Sequence, residues 1–176
     1  MIKVGEKAPG FSAEAVVNGQ MKRVSSTDFK GKWIVLFFYP RDFTFVCPTE
    51  INGFQRLEPE FKKCNAVVVG CSTDSANSHQ AWLERDLPNI KYPILADTNH
   101  SISRAYEVLI EESGEALRGT FIIDLDGVLQ YAVVSNLNVG RGIDETLRTL
   151  QALQTGGLCP VNWKPGQDTL DKKKKK

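Results

Sequence analysis

The chain carries four cysteines, at positions 47, 64, 71 and 159, and its two histidines, His79 and His100, lie near none of them in sequence. No Cys-x-x-Cys pair is present, which argues against both a zinc site and a dithiol redox motif. Cys47 stands out by its neighbours. A run of strand-forming apolar residues, Trp33 to Tyr39, leads through Pro40 and Thr44 to Cys47, and Pro48 follows. Proline suits the first turn of a helix, where its missing N–H would have no partner anyway. Cys47 then falls at a helix amino terminus, where unpaired N–H groups and the positive dipole end favour the thiolate, the nucleophilic form of the side chain. Thr44 is close enough in sequence for its hydroxyl to reach the same pocket, and Pro40 can shield the sulfur from bulk water. Alone, this is weak support, because most buried cysteines are inert small hydrophobes.

The elements that must hold Cys47 follow from the pattern of the chain. Residues 15–24 read as a hairpin turning at Asn18-Gly19. Trp33–Tyr39 reads as a strand covered on both faces, ended by Pro40. A helix is expected over 48–63, with Pro59 bending or shortening it. A second buried strand, 66–70, leads to the capping residues Ser72–Ser75 and a helix over 76–86. A short strand at 93–96, a helix at 101–106, a hairpin of 120–124 and 128–134 about Asp126-Gly127, and a helix at 143–154 ended by Gly156-Gly157 complete the pattern. The order βαβ then ββα predicts an α/β, thioredoxin-like fold with an added amino-terminal hairpin and an inserted strand–helix unit. The expected organisation is a domain over 1–158 and a carboxyl-terminal arm over 159–176.

Bulk properties narrow the classes. The chain has 176 residues and a formal net charge of +1. Without the terminal run Lys172–Lys176 the balance is 17 basic to 21 acidic residues, a net of −4. A mildly acidic body argues against a nucleic-acid protein with a dispersed basic face; the lysine run could bind polyanions, and reads more simply as a solvated end. No apolar run approaches the ~20 residues of a membrane span, and no secretory leader is visible, so the cytosol is the expected location. Cysteine chemistry in that compartment is catalytic more often than structural.

The segment Tyr39-Pro-Arg-Asp-Phe-Thr-Phe-Val-Cys-Pro-Thr-Glu50 closely resembles the peroxidatic motif of the peroxiredoxins. The resemblance runs from about Val4 to Leu170 and takes in Ala81-Trp82, Leu95–Asp97, Leu117–Asp124, Val139–Arg141 and Leu158–Gly166. The chain is thereby identified as a typical two-cysteine peroxiredoxin of the alkyl hydroperoxide reductase type. The resemblance implies that Cys47 attacks the peroxide O–O bond and becomes a sulfenic acid, with Thr44 hydrogen-bonding thiolate and peroxide. It makes Arg118 the arginine that stabilises the charge moving onto peroxide oxygen. Glu50 is the residue that orients it, and Arg141 a second arginine of the network. It makes Cys159 the resolving cysteine, condensing with Cys47 of a partner subunit. A homodimer follows, with rings of dimers as a further assembly, and a thioredoxin-like or flavoprotein disulfide reductant closes the cycle. Substrates would be hydrogen peroxide and organic hydroperoxides; no cofactor, metal, nucleic-acid or membrane partner is implied.

The remaining residues are expected to be structural. Cys64 and Cys71 match no catalytic position, Trp82 should line the pocket floor, Trp163 should anchor the arm, and His79 and His100 read as surface or internally satisfied side chains. The chain lacks the Gly-Gly-Leu-Gly insert and terminal Tyr-Phe helix of oxidation-sensitive members, which predicts resistance to over-oxidation. Two alternatives stand beside a peroxidase. A thiol–disulfide oxidoreductase on the same fold is disfavoured by the 112 residues between Cys47 and Cys159. An oligomeric holdase chaperone or redox-signalling role would share the scaffold.

Overall fold

The structure, a computed structural model, describes residues 2–173; the lysine run expected to form a solvated end lies beyond its described side chains. Contacts divide the chain into two compact units, one ending at Arg141 and one beginning at Gly142.

The larger unit is built on one seven-stranded sheet in the order β2-β1-β5-β4-β3-β6-β7. Strands β1 (Ser12–Val17) and β2 (Gln20–Ser25) form the amino-terminal hairpin. Asn18 and Gly19, at φ 50° and 77°, both adopt the left-handed conformation that a two-residue hairpin turn requires. A 3-10 turn, Ser26–Phe29, follows. Ser25 and Asp28 close its capping box, and the sequence reading passed over that short signal.

The central strands β3 (Trp33–Phe38), β4 (Ala66–Ser72) and β5 (Ile94–Ala96) run parallel. Parallel strands need crossovers, and α1 (Cys47–Lys63) and α2 (Ala76–Asp86) supply them. Helix α1 continues through Pro59 to Lys63, so the expected shortening does not occur. After α3 (Ser101–Ala105), β6 (Arg118–Ile123) pairs antiparallel with β3, and β7 (Leu129–Ser135) closes the sheet edge.

Strand alternation sends β3 side chains to two apolar layers. Phe37 stacks on Phe54 of α1 with ring centroids 4.2 Å apart. Leu36 and Phe38 join Val69, Cys71, Leu95, Tyr106 and Phe121 in the opposite layer. Gly70 is required where β4 passes between them: a Cβ there would lie 2.7 Å from Ile94 Cδ1 and 2.9 Å from Phe37 Cζ.

The smaller unit comprises α4 (Ile143–Gln154), a turn at Gly156 (φ 62°), an irregular segment and a final short helix, α5 (Leu170–Lys173), which the sequence pattern did not suggest. Trp163 is buried, and its carbonyl accepts a hydrogen bond from Arg148 Nη1 of α4 at 3.0 Å, a tether for this segment. Among the described residues no helix is long and apolar enough to cross a membrane.

Candidate active site

Strand β3 ends at Phe38 and delivers the chain into the loop 39–46, from which α1 starts at Cys47 itself. Pro48 occupies the first turn, and no side chain caps it: the preceding residue, Val46, makes no capping hydrogen bond. The amino-terminal N–H groups of α1 are thus left without the usual side-chain acceptor beside a buried sulfur, an arrangement that favours negative charge there.

Across from this turn, β6 and the segment after β7 present two arginines. Arg118 Nη1 lies 3.5 Å from Cys47 Sγ and 2.6 Å from Glu50 Oε2, and its Nε donates to Leu137 O at 2.7 Å. Glu50 sits one turn along α1 from Cys47, so its carboxylate faces the same space. Arg141 grips that carboxylate through its backbone N–H (2.9 Å) and its Nε (2.8 Å). The rest of its guanidinium donates to Gly119 O, Thr120 Oγ1 and Phe38 O. It also lies over the Phe37 ring, 5.3 Å from the centroid. Arg118, Arg141 and Glu50 have side-chain exposures of only 4%, 6% and 2%. Burial pulls the Arg141 guanidinium below the ordinary arginine value, and the Glu50 charge opposes that pull.

The charge count has a chemical consequence. Two buried guanidinium groups face one buried carboxylate, which leaves one positive charge uncompensated. A thiolate at Cys47 would balance it. Arg118 makes the contact and Glu50 fixes where Arg118 points, so the donor is aimed before any reactant arrives. This is the preorganised electrostatic stabilisation that acyl and oxygen transfer reactions exploit.

The structure therefore brings Cys47, Glu50, Arg118 and Arg141 into one cluster. Pro40 is buried where β3 gives way to the loop. Thr44 differs from expectation: its hydroxyl donates to Arg41 O at 3.0 Å, not to the Cys47 sulfur. A hydroxyl has one proton, and here it is used in a local bond to the loop's own backbone. Trp82 is buried against Tyr39 and Phe43 of the loop, with ring centroids 6.0 Å away in each case.

Cys159 belongs to the smaller unit. It is half-buried, with its sulfur 3.3 Å from Thr155 Oγ1 and 3.6 Å from Ala152 O at the end of α4. Cys71 is buried in the core, where desolvation and, secondarily, the Asp97 charge push its thiol well up; it is a packing residue. The sequence reading missed one polar group altogether. Asp42 and His79, 37 residues apart, meet behind the loop with His79 Nδ1 2.8 Å from Asp42 Oδ2. His79 is satisfied, as expected, but it is fully buried rather than at the surface.

Known proteins agree with this architecture. Residues 4–132 match the AhpC/TSA family, and residues 150–176 match the C-terminal domain of 1-Cys peroxiredoxin. The chain is 55% identical over 175 residues to the Bacillus subtilis protein YkuU, named as a peroxiredoxin, covering 95% of this chain and 97% of that one. It is 50% identical to a thioredoxin peroxidase of Echinococcus granulosus, over 95% of this chain and 91% of the relative. Reduced 2-Cys peroxiredoxin of Plasmodium vivax superposes with a TM-score of 0.92 at 40% identity, covering 96% of this chain and 93% of that one. Mycobacterium tuberculosis AhpC superposes with a TM-score of 0.85 at 37% identity, over 93% and 99% of the two chains. With a thioredoxin-like sheet and a buried cysteine at a helix start facing an arginine, the chain belongs to the AhpC/TSA peroxiredoxins, of the two-cysteine type, and is a peroxide-reducing peroxidase.

Proposed function

We propose that Cys47 is the peroxide-reactive thiol and that the enzyme runs a two-cysteine cycle with Cys159. The observation that carries this reading is the 3.5 Å approach of Arg118 Nη1 to Cys47 Sγ, with Glu50 holding that arginine at 2.6 Å. The thiolate attacks the distal peroxide oxygen, the O–O bond breaks, and a proton joins the leaving oxygen as water or an alcohol. Arg118 supports the charge on sulfur before the step and on oxygen during it. Thr44, after rotation away from Arg41 O, supplies a second donor, and Pro40 limits water at the sulfur.

The resulting Cys47 sulfenic acid condenses with the Cys159 thiol of a second copy, releasing water and leaving a disulfide. Helix α1 must open at its first turn for this, and its lack of a side-chain cap makes that turn inexpensive to open. The open edge of β7, with Val133 and Val134 exposed, supports a homodimer, and rings of dimers would build on it. A thioredoxin-like or flavoprotein dithiol then reduces the disulfide by exchange. Residues 1–158 would form the peroxidase domain and residues 159–176 the resolving arm. We assign the cycle to the cytosol, where cysteine chemistry is catalytic more often than structural.

The test is to treat reduced protein with one equivalent of hydrogen peroxide, block the thiols, and separate it on a denaturing gel without reductant. A dimer band that dithiothreitol collapses, absent in Cys47→Ser and Cys159→Ser, is expected. A monomer that has lost thiols would contradict resolution between copies.

A further inference from the structure

Against the loop 39–46 lies a second polar group that the peroxidase chemistry does not use. His79 of α2 has no exposed side-chain surface and Asp42 has 1%. Both ring nitrogens of His79 face acceptors: Nδ1 lies 2.8 Å from Asp42 Oδ2, and Nε2 lies 3.0 Å from the Leu95 carbonyl of β5. A carbonyl oxygen only accepts, so Nε2 must carry a proton. Asp42 also receives the Tyr39 hydroxyl (2.8 Å, on Oδ1) and the Ser78 hydroxyl (2.8 Å, on Oδ2). Three side chains thus converge on one buried carboxyl group and fix its orientation. Burial and the Asp42 charge push the Tyr39 phenol well up, which keeps its proton available for this bond.

We infer that His79 acts through Asp42 as a positioning residue for the peroxidatic loop. Asp42 is the point at which the loop is tied down. Its carboxylate joins Tyr39, Ser78 and His79, and its backbone N–H donates to Asp74 Oδ2 at 2.9 Å, where Ser72 Oγ also donates at 2.7 Å. One residue of the loop is thereby fastened to the β4–α2 turn, to α2 and, through the ring, to β5. Just beyond it Phe43 adopts φ 56°, and its ring lies against Trp82 and under the Arg85 guanidinium, 4.7 Å from the centroid. Thr44 and then Cys47 follow.

The charged groups facing His79 are Asp42 and, beyond it, Asp74; Tyr39 is the remaining titratable neighbour, with its hydroxyl 3.4 Å from Nδ1, and β5 contributes the Leu95 carbonyl. Loss of the ring would leave the buried Leu95 carbonyl without this donor, a costly state. The ring therefore ties the loop to α2 and β5, and its removal frees the loop.

This inference rests on Cys47 as the peroxide-reactive thiol only for its kinetic consequence. The direct test is independent of that. With only two histidines in the chain, ¹⁵N-histidine spectra of the reduced protein at pH 7.5, assigned with His100→Asn, read each ring. The Nε2–H of His79 should be resolved and slow to exchange with solvent, as a buried hydrogen bond to the Leu95 carbonyl requires. An Nε2–H that exchanges as fast as that of an exposed ring, or displacement of the His79 signals by added Zn²⁺, would overturn the inference.

The positioning role is read by rapid kinetics on His79→Gln and Asp42→Asn. Oxidation of Cys47 should slow about tenfold, since small displacements of a reacting group are costly, while disulfide formation proceeds at the parent rate or faster. Equal slowing of both steps, or rates within about twofold of the parent for both, would overturn it. A variant that fails to fold leaves the spectrum of the unaltered ring to decide.

Discussion

Glu50 accepts hydrogen bonds from both Arg118 and Arg141 in a space almost closed to water. Removing the charge with Glu50→Gln strands two buried guanidinium groups, and breaking a buried ion pair from one side costs about 3–5 kcal/mol. Urea unfolding should register that loss; an unchanged midpoint would show that the cluster is solvated in solution. Arg118→Met should keep the fold better yet slow Cys47 oxidation by about 100- to 1,000-fold, the usual cost of losing one aimed donor at a developing charge. Stopped-flow mixing with peroxide measures it. Both arginines and Glu50 were legible in the sequence because they sit inside long motifs. The Thr44 proton was not, since its choice of Arg41 O depends on the turn the loop adopts. Nor was the Asp42–His79 pair, because nothing in one sequence links two residues that α1 and β4 separate.

At the level of elements, the pattern was most readable where local chemistry dictates geometry. Asn18-Gly19 marked the hairpin, and the run Trp33–Tyr39 marked the strand that ends one residue earlier, at Phe38. Pro59 misled in part: it removes one N–H, but the aromatic contact of Phe54 with Phe61, at 6.1 Å, spans the site and the helix runs on. Close packing between elements was invisible in the sequence. Gly70→Ala would force Ile94 and Phe37 apart, and overpacking of this kind costs about 1–3 kcal/mol; the shift in denaturation midpoint checks it. The layer beneath β4 also shelters Cys71, so native protein should leave this thiol unlabelled by iodoacetamide at pH 8 while Cys159 reacts, and a labelled Cys71 would refute that burial.

For the whole molecule, the buried titratable groups set a direction with pH. Tyr39, Cys71, Tyr92 and Tyr106 are all pushed up, in each case chiefly by burial. Groups raised in the folded state contribute stability that is full below their unfolded values and is lost as pH climbs through the folded ones. Free cysteine and tyrosine titrate near ~8.5 and ~10. Unfolding midpoints in urea should therefore fall between pH 7.5 and pH 10.5, and a midpoint that holds would contradict the assigned burial. The division after Arg141 was not legible, because the run Val139-Gly-Arg141-Gly-Ile143 carries no composition shift to mark it.

The central claim is that the cluster of Arg118, Glu50 and Arg141 makes Cys47 the thiol that peroxide meets first. The most direct test uses reduced Cys159→Ser protein, in which no resolving thiol intervenes, mixed with hydrogen peroxide and quenched with a sulfenic-acid trap at short times. Mass spectrometry of the peptides then gives a rate for each cysteine. Trapping at Cys47 should run about a thousandfold faster than at Cys64, as an aimed charge donor in a closed site requires. Equal rates at the two positions, or a Cys47 that remains a thiol, would contradict it.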